Sequence, residues 1–332
     1  MEAAKRKSNQ RQALFILTPC TDGKRYVTDV QLFVHGNPRR QADLNQPQTP
    51  IPEPGHPVVL AIAGFDPTAG AGLTADLKVF AAHRLYGVSA VTALTVQSTQ
   101  GVRRTAPSDP GFLAETLDCL SDDITITGVK IGMLATEAIV AVVARFLAAS
   151  AIPRERIVLD PVIRSTSGRE LLDPAGLACL QNELLPLVGW ITPNVDELAS
   201  LTGTGISGRE SVSSSARRLA ASYPGLNVVV TGGHLDPPDD FLLAAAGTEP
   251  GAADGTEYGA GHWFPGQRID TTATHGTGCT FSSALLCQLV TGVSASNAVA
   301  AAKQYVRHAM ANAYPIGKGR GPLHHLYILD KK

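Results

Sequence analysis

From Pro57 onward the chain predicts an α/β domain with a largely parallel sheet covered by helices on both faces. The first sign is alternation, because short apolar runs are separated by segments of helical period, the pattern of repeated βαβ units. The second is size and composition. With 332 residues, 44% hydrophobic and 17% charged, the chain can bury a large core, which suits one domain of roughly 250 residues plus an appendage.

Each element has its own signal. Val58 to Ala63 reads as the first buried strand. Leu73, Leu77 and Phe80 recur at i, i+4 and i+7, so Gly72 to Leu85 is predicted as an amphipathic helix, followed by a strand over Ser89 to Val96. Asp109-Pro110 starts a helix with proline at its first position. Thr125 to Ile131 and Ile157 to Leu159 are further strands, with a helix from about Thr136 to Ala148 between them. Asp173-Pro174 opens another helix, and Asn194 caps a short one to about Leu201. Leu226 to Val230 is a late strand, and the Gly-rich stretch Phe241 to Phe264 reads as an antiparallel excursion at a sheet edge. Helices over Gly276 to Leu289 and Ala295 to Tyr314 close the chain, with no internal repeat.

Residues 1–56 differ in kind. They are rich in Gln, Arg, Asn and Pro, and Gln46 to Gly55 reads as a linker, so this extension is expected to be mobile or loosely docked and the domain to span 57–330. Tyr26 to His35 alternates like a short strand, but one strand without partners is marginal in water.

A net charge of -1 and the lack of any long Lys/Arg run give no electrostatic footprint for nucleic acid or an anionic membrane. The default partner is a small molecule. Five widely spaced cysteines without a CxxC pair suggest neither a disulfide framework nor a zinc site, which fits a reducing cytoplasm. No apolar stretch reaches the roughly 18 residues of a membrane span, and the N-terminus lacks the apolar core of a secretory signal.

The chemistry concentrates in Thr271 to Thr280. There the polar loop enters His275-Gly276-Thr277-Gly278-Cys279-Thr280 and then the apolar run Phe281 to Leu289. Glycines at a helix start let backbone NH groups converge and the helix dipole adds positive potential, so a transferring phosphoryl group is well held at such a place. Cys279 falls in the first turn, where a thiol pKa is lowered, and could act as general base or positioning group. The plain alternative is a small buried cysteine in a Gly-rich helix entry. A second Gly-rich turn, Ala63 to Gly72, follows the first strand. Since no GxxxxGK[ST] occurs, a P-loop mode of nucleotide binding is excluded.

The order of motifs is more specific than any one of them. It runs through Ala61-Ile62-Ala63-Gly64, Asp66-Pro67, Gly70-Ala71-Gly72, Ala75-Asp76-Leu77-Lys78, Thr92-Ala93-Leu94 with Gln97, and Lys130-Ile131-Gly132-Met133-Leu134. It continues with Leu159-Asp160-Pro161-Val162, Ser167-Gly168, Thr192-Pro193-Asn194 with Glu197, Gly232-Gly233-His234, His275 to Thr280, and Gly317-Lys318-Gly319. In these residues the chain from about Val58 to Tyr327 resembles the hydroxymethylpyrimidine/phosphomethylpyrimidine kinase family of thiamine biosynthesis.

That resemblance implies a ribokinase-like three-layer α/β/α sandwich with a mostly parallel central sheet, ATP and Mg2+ as cofactors, and a homodimer. It implies a pyrimidine beside Gly64, Asp76, Gln97, Met133 and Val162, with Cys279, Gly276, Thr277 and Gly278 as the catalytic group. Asn194, Thr231, Gly233 and Lys303 are implied around the nucleotide, and Glu197 and Asp160 at the metal. The chemistry of several is apt: Asp76 and the Gln97 amide can pair with ring nitrogens and an exocyclic amine, while Met133 and Val162 offer apolar walls. Taken alone, Asn194 is first a helix cap, Asp76 a solvated charge, and Met133 and Val162 core residues.

Three positions depart from the family pattern: Phe65 for a small Ser, Arg164 for a small or apolar residue, and Thr231 for a frequent Lys. Phe65 could narrow the ring pocket or stack on the ring, and Arg164 could hold a substrate phosphate or point into water. The competing readings are a pyridoxine or pyridoxal kinase and a non-catalytic ligand-sensing domain.

Overall fold

The structure is a computed structural model. It describes residues 56–165, 168–246, 259 and 261–330, together with the backbone of 14–19 and 25–31. The chain divides into two compact units, Met1–Glu53 and Pro54–Lys332.

In the first unit β1 (Leu14–Pro19) pairs antiparallel with β2 (Arg25–Gln31). The expected strand at Tyr26 to His35 therefore has a partner that the sequence reading leaves unassigned, and its last four residues, like the Pro-rich linker, lie outside the described residues.

In the second unit β3 (Val58–Phe65) shows why a parallel strand reads as one apolar run. Leu60 and Ile62 pack into one core cluster while Val59, Ala61 and Ala63 pack into another on the opposite face. It is followed by α1 (Gly72–Ala82), β4 (Tyr86–Ser98), β5 (Gly101–Pro107), α2 (Pro110–Asp123), β6 (Gly128–Ile131) and α3 (Glu137–Ala149). Next come β7 (Ile157–Leu159), α4 (Pro174–Cys179), β8 (Trp190–Ile191), α5 (Val195–Thr202), α6 (Arg209–Ser222) and β9 (Asn227–Val230). The chain ends with β10 (Asp240–Leu243), β11 (His262–Phe264), α7 (Thr277–Val290) and α8 (Ala295–Ala311).

Among the described residues the sheet has nine strands in the order β11-β10-β9-β8-β7-β6-β3-β4-β5. Its six central strands are parallel and both edges are antiparallel. Helices α2 to α6 supply one core cluster and α1, α7 and α8 the other, which makes the three layers.

The differences from expectation are local. β4 is longer than predicted and folds back as β5, a polar edge strand that carries no apolar alternation. α6 adds a helix beyond those expected: its wealth of Ser, Ala and Arg obscures the signal, although Val212, Ala216 and Leu219 keep the i, i+4, i+7 stripe and are buried. β8 has only two residues, too few to show a period.

Candidate active site

The strands β3, β4, β6, β7, β8 and β9 all run in one direction, so Gly64, Gln97, Met133, Asp160, Asn194 and Thr231 end together at the carboxyl edge of the sheet. Open α/β sheets bind ligands there. α7 presents its N-terminus to the same edge.

Gly276 is the N-cap of α7 with φ +85°, and a Cβ there would stand 1.9 Å from the Gly70 carbonyl oxygen. Only glycine lets the two Gly-rich loops touch. Gly276 has no side chain to cap the helix, and among the described residues no side chain bonds the first-turn NH groups of Thr277, Gly278 and Cys279. A Cβ on Gly278 would face both Asp160 carboxylate oxygens at 3.8 Å. Behind the turn, buried His325 places Nε2 3.1 Å from the Thr280 hydroxyl, which donates to the Gly276 carbonyl at 2.8 Å. Burial lowers this histidine to about 4, so it is neutral.

Under the helix start lies a polar network that motif reading alone does not reveal. Lys130, wholly buried at the end of β6, lies 3.0 Å from Asp76 Oδ1 and 3.9 Å from Asp160 Oδ2. Burial disfavours its charge, but Asp76 and then Cys279 and Asp160 outweigh that and hold the ammonium above the usual lysine range. Ser283 donates to Asp76 at 2.8 Å and Ser282 to Asp160 at 3.2 Å. A lysine inside a strand otherwise apolar is the signal that could have revealed the network, because a buried charge needs a partner.

Two expectations need correcting. Asp76 is neither a ring contact nor a solvated charge: it is wholly buried, and its oxygens are taken by Lys130 and Ser283. Nor does the first turn of α7 lower the Cys279 thiol. Burial pushes it up to about 12, with Lys130 opposing and the charges of Asp160 and Asp76 adding to the rise. The thiol hydrogen-bonds Asp160.

Asn194 and Glu197 form a capping box on α5, each side chain bonded to the other's backbone NH at 2.9 Å. Asn194 is thus a helix cap, as its residue type alone suggests. Glu197 is buried and pushed up to about 8, first by desolvation and then by the charge of Asp160. Among the described residues no group of three or more side chains forms a ready metal cage. Thr231 bridges Asn194 in parallel fashion, Gly233 has open space at its Cβ, and Lys303 is held by Asp240 at 2.7 Å. With Asp240 and the Pro238 carbonyl at 3.3 Å as its partners, the Lys303 ammonium keeps a third N–H for another acceptor.

The expected ring walls do come together. Met133, Ala93 and Leu171 form a small cluster apart from both sheet cores, with Val162 and Val102 against it, and a Cβ on Gly64 would stand 3.0 Å from the Met133 sulfur. Beside it a cleft of about 390 Å³ opens along Gln100 to Arg103, Gly168 and Arg169. Phe65 and Arg164 are exposed, the latter in a strand-like bridge with Glu170, so Arg164 points into water.

A three-layer parallel sheet with an uncapped, Gly-rich helix start facing buried carboxylates is the architecture of the ribokinase-like small-molecule kinases. Within that class the chain belongs to the phosphomethylpyrimidine kinase family, whose sequence pattern matches residues 66–324. The hydroxymethylpyrimidine/phosphomethylpyrimidine kinase of Rhizobium meliloti is 38% identical over 272 residues, covering 81% of this chain and 97% of that protein. A thiamine biosynthesis bifunctional protein of Geobacter sulfurreducens is 39% identical over 275 residues, covering 82% of this chain. The matched segment spans about half of that relative, at 53% of its length. Among solved structures, Bacillus subtilis pyridoxal kinase in its ADP complex superposes with a TM-score of 0.71 at 27% identity, covering 83% of this chain and all of that one.

Proposed function

We propose that this chain uses ATP to phosphorylate 4-amino-5-hydroxymethyl-2-methylpyrimidine, and then the monophosphate so formed to the diphosphate, in thiamine biosynthesis. The observation that carries the reading is the uncapped start of α7 at Gly276 to Cys279, inside a family match that spans the domain. In the first step the hydroxymethyl oxygen attacks the γ-phosphorus, a new O–P bond forms, the bond to the β-phosphate oxygen breaks, and ADP leaves. The NH groups of Thr277, Gly278 and Cys279 stabilise the charge on the transferring group, and the fixed loops supply alignment. Cys279 accepts the hydroxyl proton in the fraction of molecules whose thiol has first released its own proton to solvent.

The residues present fit magnesium. It keeps several waters and takes one or two carboxylates plus substrate phosphates, and Asp160 and Glu197 are two buried carboxylates of which the second is raised by the first. When bound, the ion would neutralise both, which removes Asp160's part of the penalty on the Cys279 thiolate. A homodimer in the cytoplasm is part of this reading, and Leu94 and Val96, 56% and 49% exposed on one face of β4, supply an apolar surface for a second copy. No helix among the described residues is long and apolar enough to cross a membrane.

The second reading, a pyridoxal kinase, rests on the structural likeness to the Bacillus enzyme. Competition assays with the pyrimidine, its monophosphate, pyridoxine and pyridoxal separate the two. The expected result is the pyrimidine diphosphate; pyridoxal turned over at much higher kcat/KM, with little pyrimidine turnover, overturns the proposal.

A further inference from the structure

Gln97 sits between two neighbours that both constrain its carboxamide. The Thr95 hydroxyl oxygen lies 3.0 Å from the Phe65 carbonyl oxygen and 3.2 Å from Gln97 Oε1. A hydroxyl has one hydrogen and the Phe65 carbonyl can only accept, so that hydrogen goes to Phe65. What Thr95 then offers Gln97 is a lone pair, which calls for the amide nitrogen and not its oxygen. On the other side, His275 Nε2 lies 2.7 Å from Asp66 Oδ2 and 3.1 Å from Gln97 Nε2.

Asp66 also accepts from Thr68 N and Thr68 Oγ1 at 2.8 Å and from Ala71 N at 3.0 Å. Burial raises its carboxyl, but the bonds from His275 and Thr68 outweigh that and hold it below the usual range. An ionised Asp66 makes His275 Nε2 the donor, and a donor facing an NH2 group is repulsive; with the amide oxygen there instead, the one Nε2 hydrogen is shared in a three-centre bond between Asp66 at 2.7 Å and Gln97 at 3.1 Å. Both neighbours therefore require the same 180° rotation of the amide, which exchanges two atoms of nearly equal shape and moves no others.

We propose that Thr95 and His275 are positioning residues that hold the Gln97 carboxamide with its oxygen toward His275 and its nitrogen toward Thr95, so that it reads a ring nitrogen beside an exocyclic amine. Each neighbour takes one hydrogen-bonding site of the amide. One N–H and one carbonyl lone pair remain, the complement of a ring nitrogen acceptor next to an amine donor. The reversed amide would set donor against donor and acceptor against acceptor, so the lock selects a ring nitrogen beside an exocyclic donor over an edge whose exocyclic group can only accept. Asp66 fixes the proton on His275 and ties this recognition to Gly276, the next residue in the chain. The inference rests on the pyrimidine reading and deepens it.

The test is steady-state kinetics of Thr95→Val, which keeps the β-branched shape on its strand and removes the oxygen. The expected result is a KM for the aminopyrimidine raised about tenfold or more, with kcat at saturation and the KM for ATP within about twofold. Thr95→Ser should restore the wild-type KM. The analogue with hydrogen in place of the 4-amine keeps only the ring-nitrogen contact, so Thr95→Val should raise its KM by less than it raises that of the aminopyrimidine, whereas a general loosening of β4 would weaken both equally. His275→Phe should show the same KM rise with an added loss of kcat, because it adjoins the helix start. An unchanged aminopyrimidine KM in Thr95→Val, with wild type active on the pyrimidine, overturns the inference alone. A wild type that neither binds nor phosphorylates the pyrimidine overturns the substrate reading and this inference with it.

Discussion

Cys279 shows how two local effects oppose each other at one atom. The helix start favours a thiolate, whereas burial and two neighbouring carboxylates push the thiol up to about 12, so the free protein holds it protonated at neutral pH. Below its pKa the thiolate fraction rises tenfold per pH unit, so kcat/KM, which reports the free enzyme, is expected to climb steadily from pH 6 to 9. Cys279→Ala is expected to lower kcat about 10²-fold to 10⁴-fold with KM little changed and to abolish that slope, and Cys279→Ser to be nearly as impaired. Rate measurements on the two variants across pH check this. Near-normal kcat in both would leave the cysteine a packing residue and the rate to alignment and charge alone.

At the scale of elements, α5 and α7 put stability and function in competition. The Glu197 carboxyl, at about 8 in the folded protein against an ordinary 4.5, binds its proton more tightly folded than unfolded. The contribution of this one group to stability is therefore fully present below about pH 4.5 and is lost as pH rises through about 8. Glu197→Gln keeps the capping box, since Gln serves at that position, and removes the charge. Its Tm is expected to exceed the wild type's by a margin that grows between pH 5 and 8, while kcat/KM drops if the carboxylate holds magnesium; thermal melts and assays over that range test both.

In α7, Gly278→Ala meets only Asp160 at 3.8 Å, an ordinary contact, and alanine favours a helix by up to about 1 kcal/mol. Stability should hold or rise in a denaturant titration. The new methyl nevertheless stands where the anion is expected, so kcat/KM should fall about a hundredfold, and full activity would place the phosphoryl group elsewhere.

For the whole molecule, the division at Glu53 and Pro54 leaves the entire family match, 66–324, inside the second unit. Removing residues 1–53 is expected to give a folded protein with kcat/KM within about twofold of the full chain, because no element of the nine-stranded sheet is lost. Circular dichroism and the kinase assay on the truncated protein decide this, and loss of either signal would assign the extension a structural or functional role.

The α/β class, most strand and helix positions and the Gly-rich helix start at Gly276 were legible in the sequence, because each depends on short-range rules. Val58 to Ala63 is apolar at every position since both its faces are covered, and glycines at 276 and 278 mark a backbone that must approach something closely. Elements without such a local period were not legible: β8, with two residues, and β5, a polar edge, form only because neighbouring strands offer hydrogen bonds. Charge states were decided by tertiary structure alone. Asp76 on an amphipathic helix looks solvated until β6 brings Lys130 within 3.0 Å of it, and Cys279 looks acidic until burial is counted. A pKa or an ion pair depends on the dielectric and partners that distant segments bring, which sequence spacing does not encode. The same holds for Gln97: its residue type suggested an amide for the ring, but its orientation follows from Thr95 on its own strand and from His275, a residue 178 positions away.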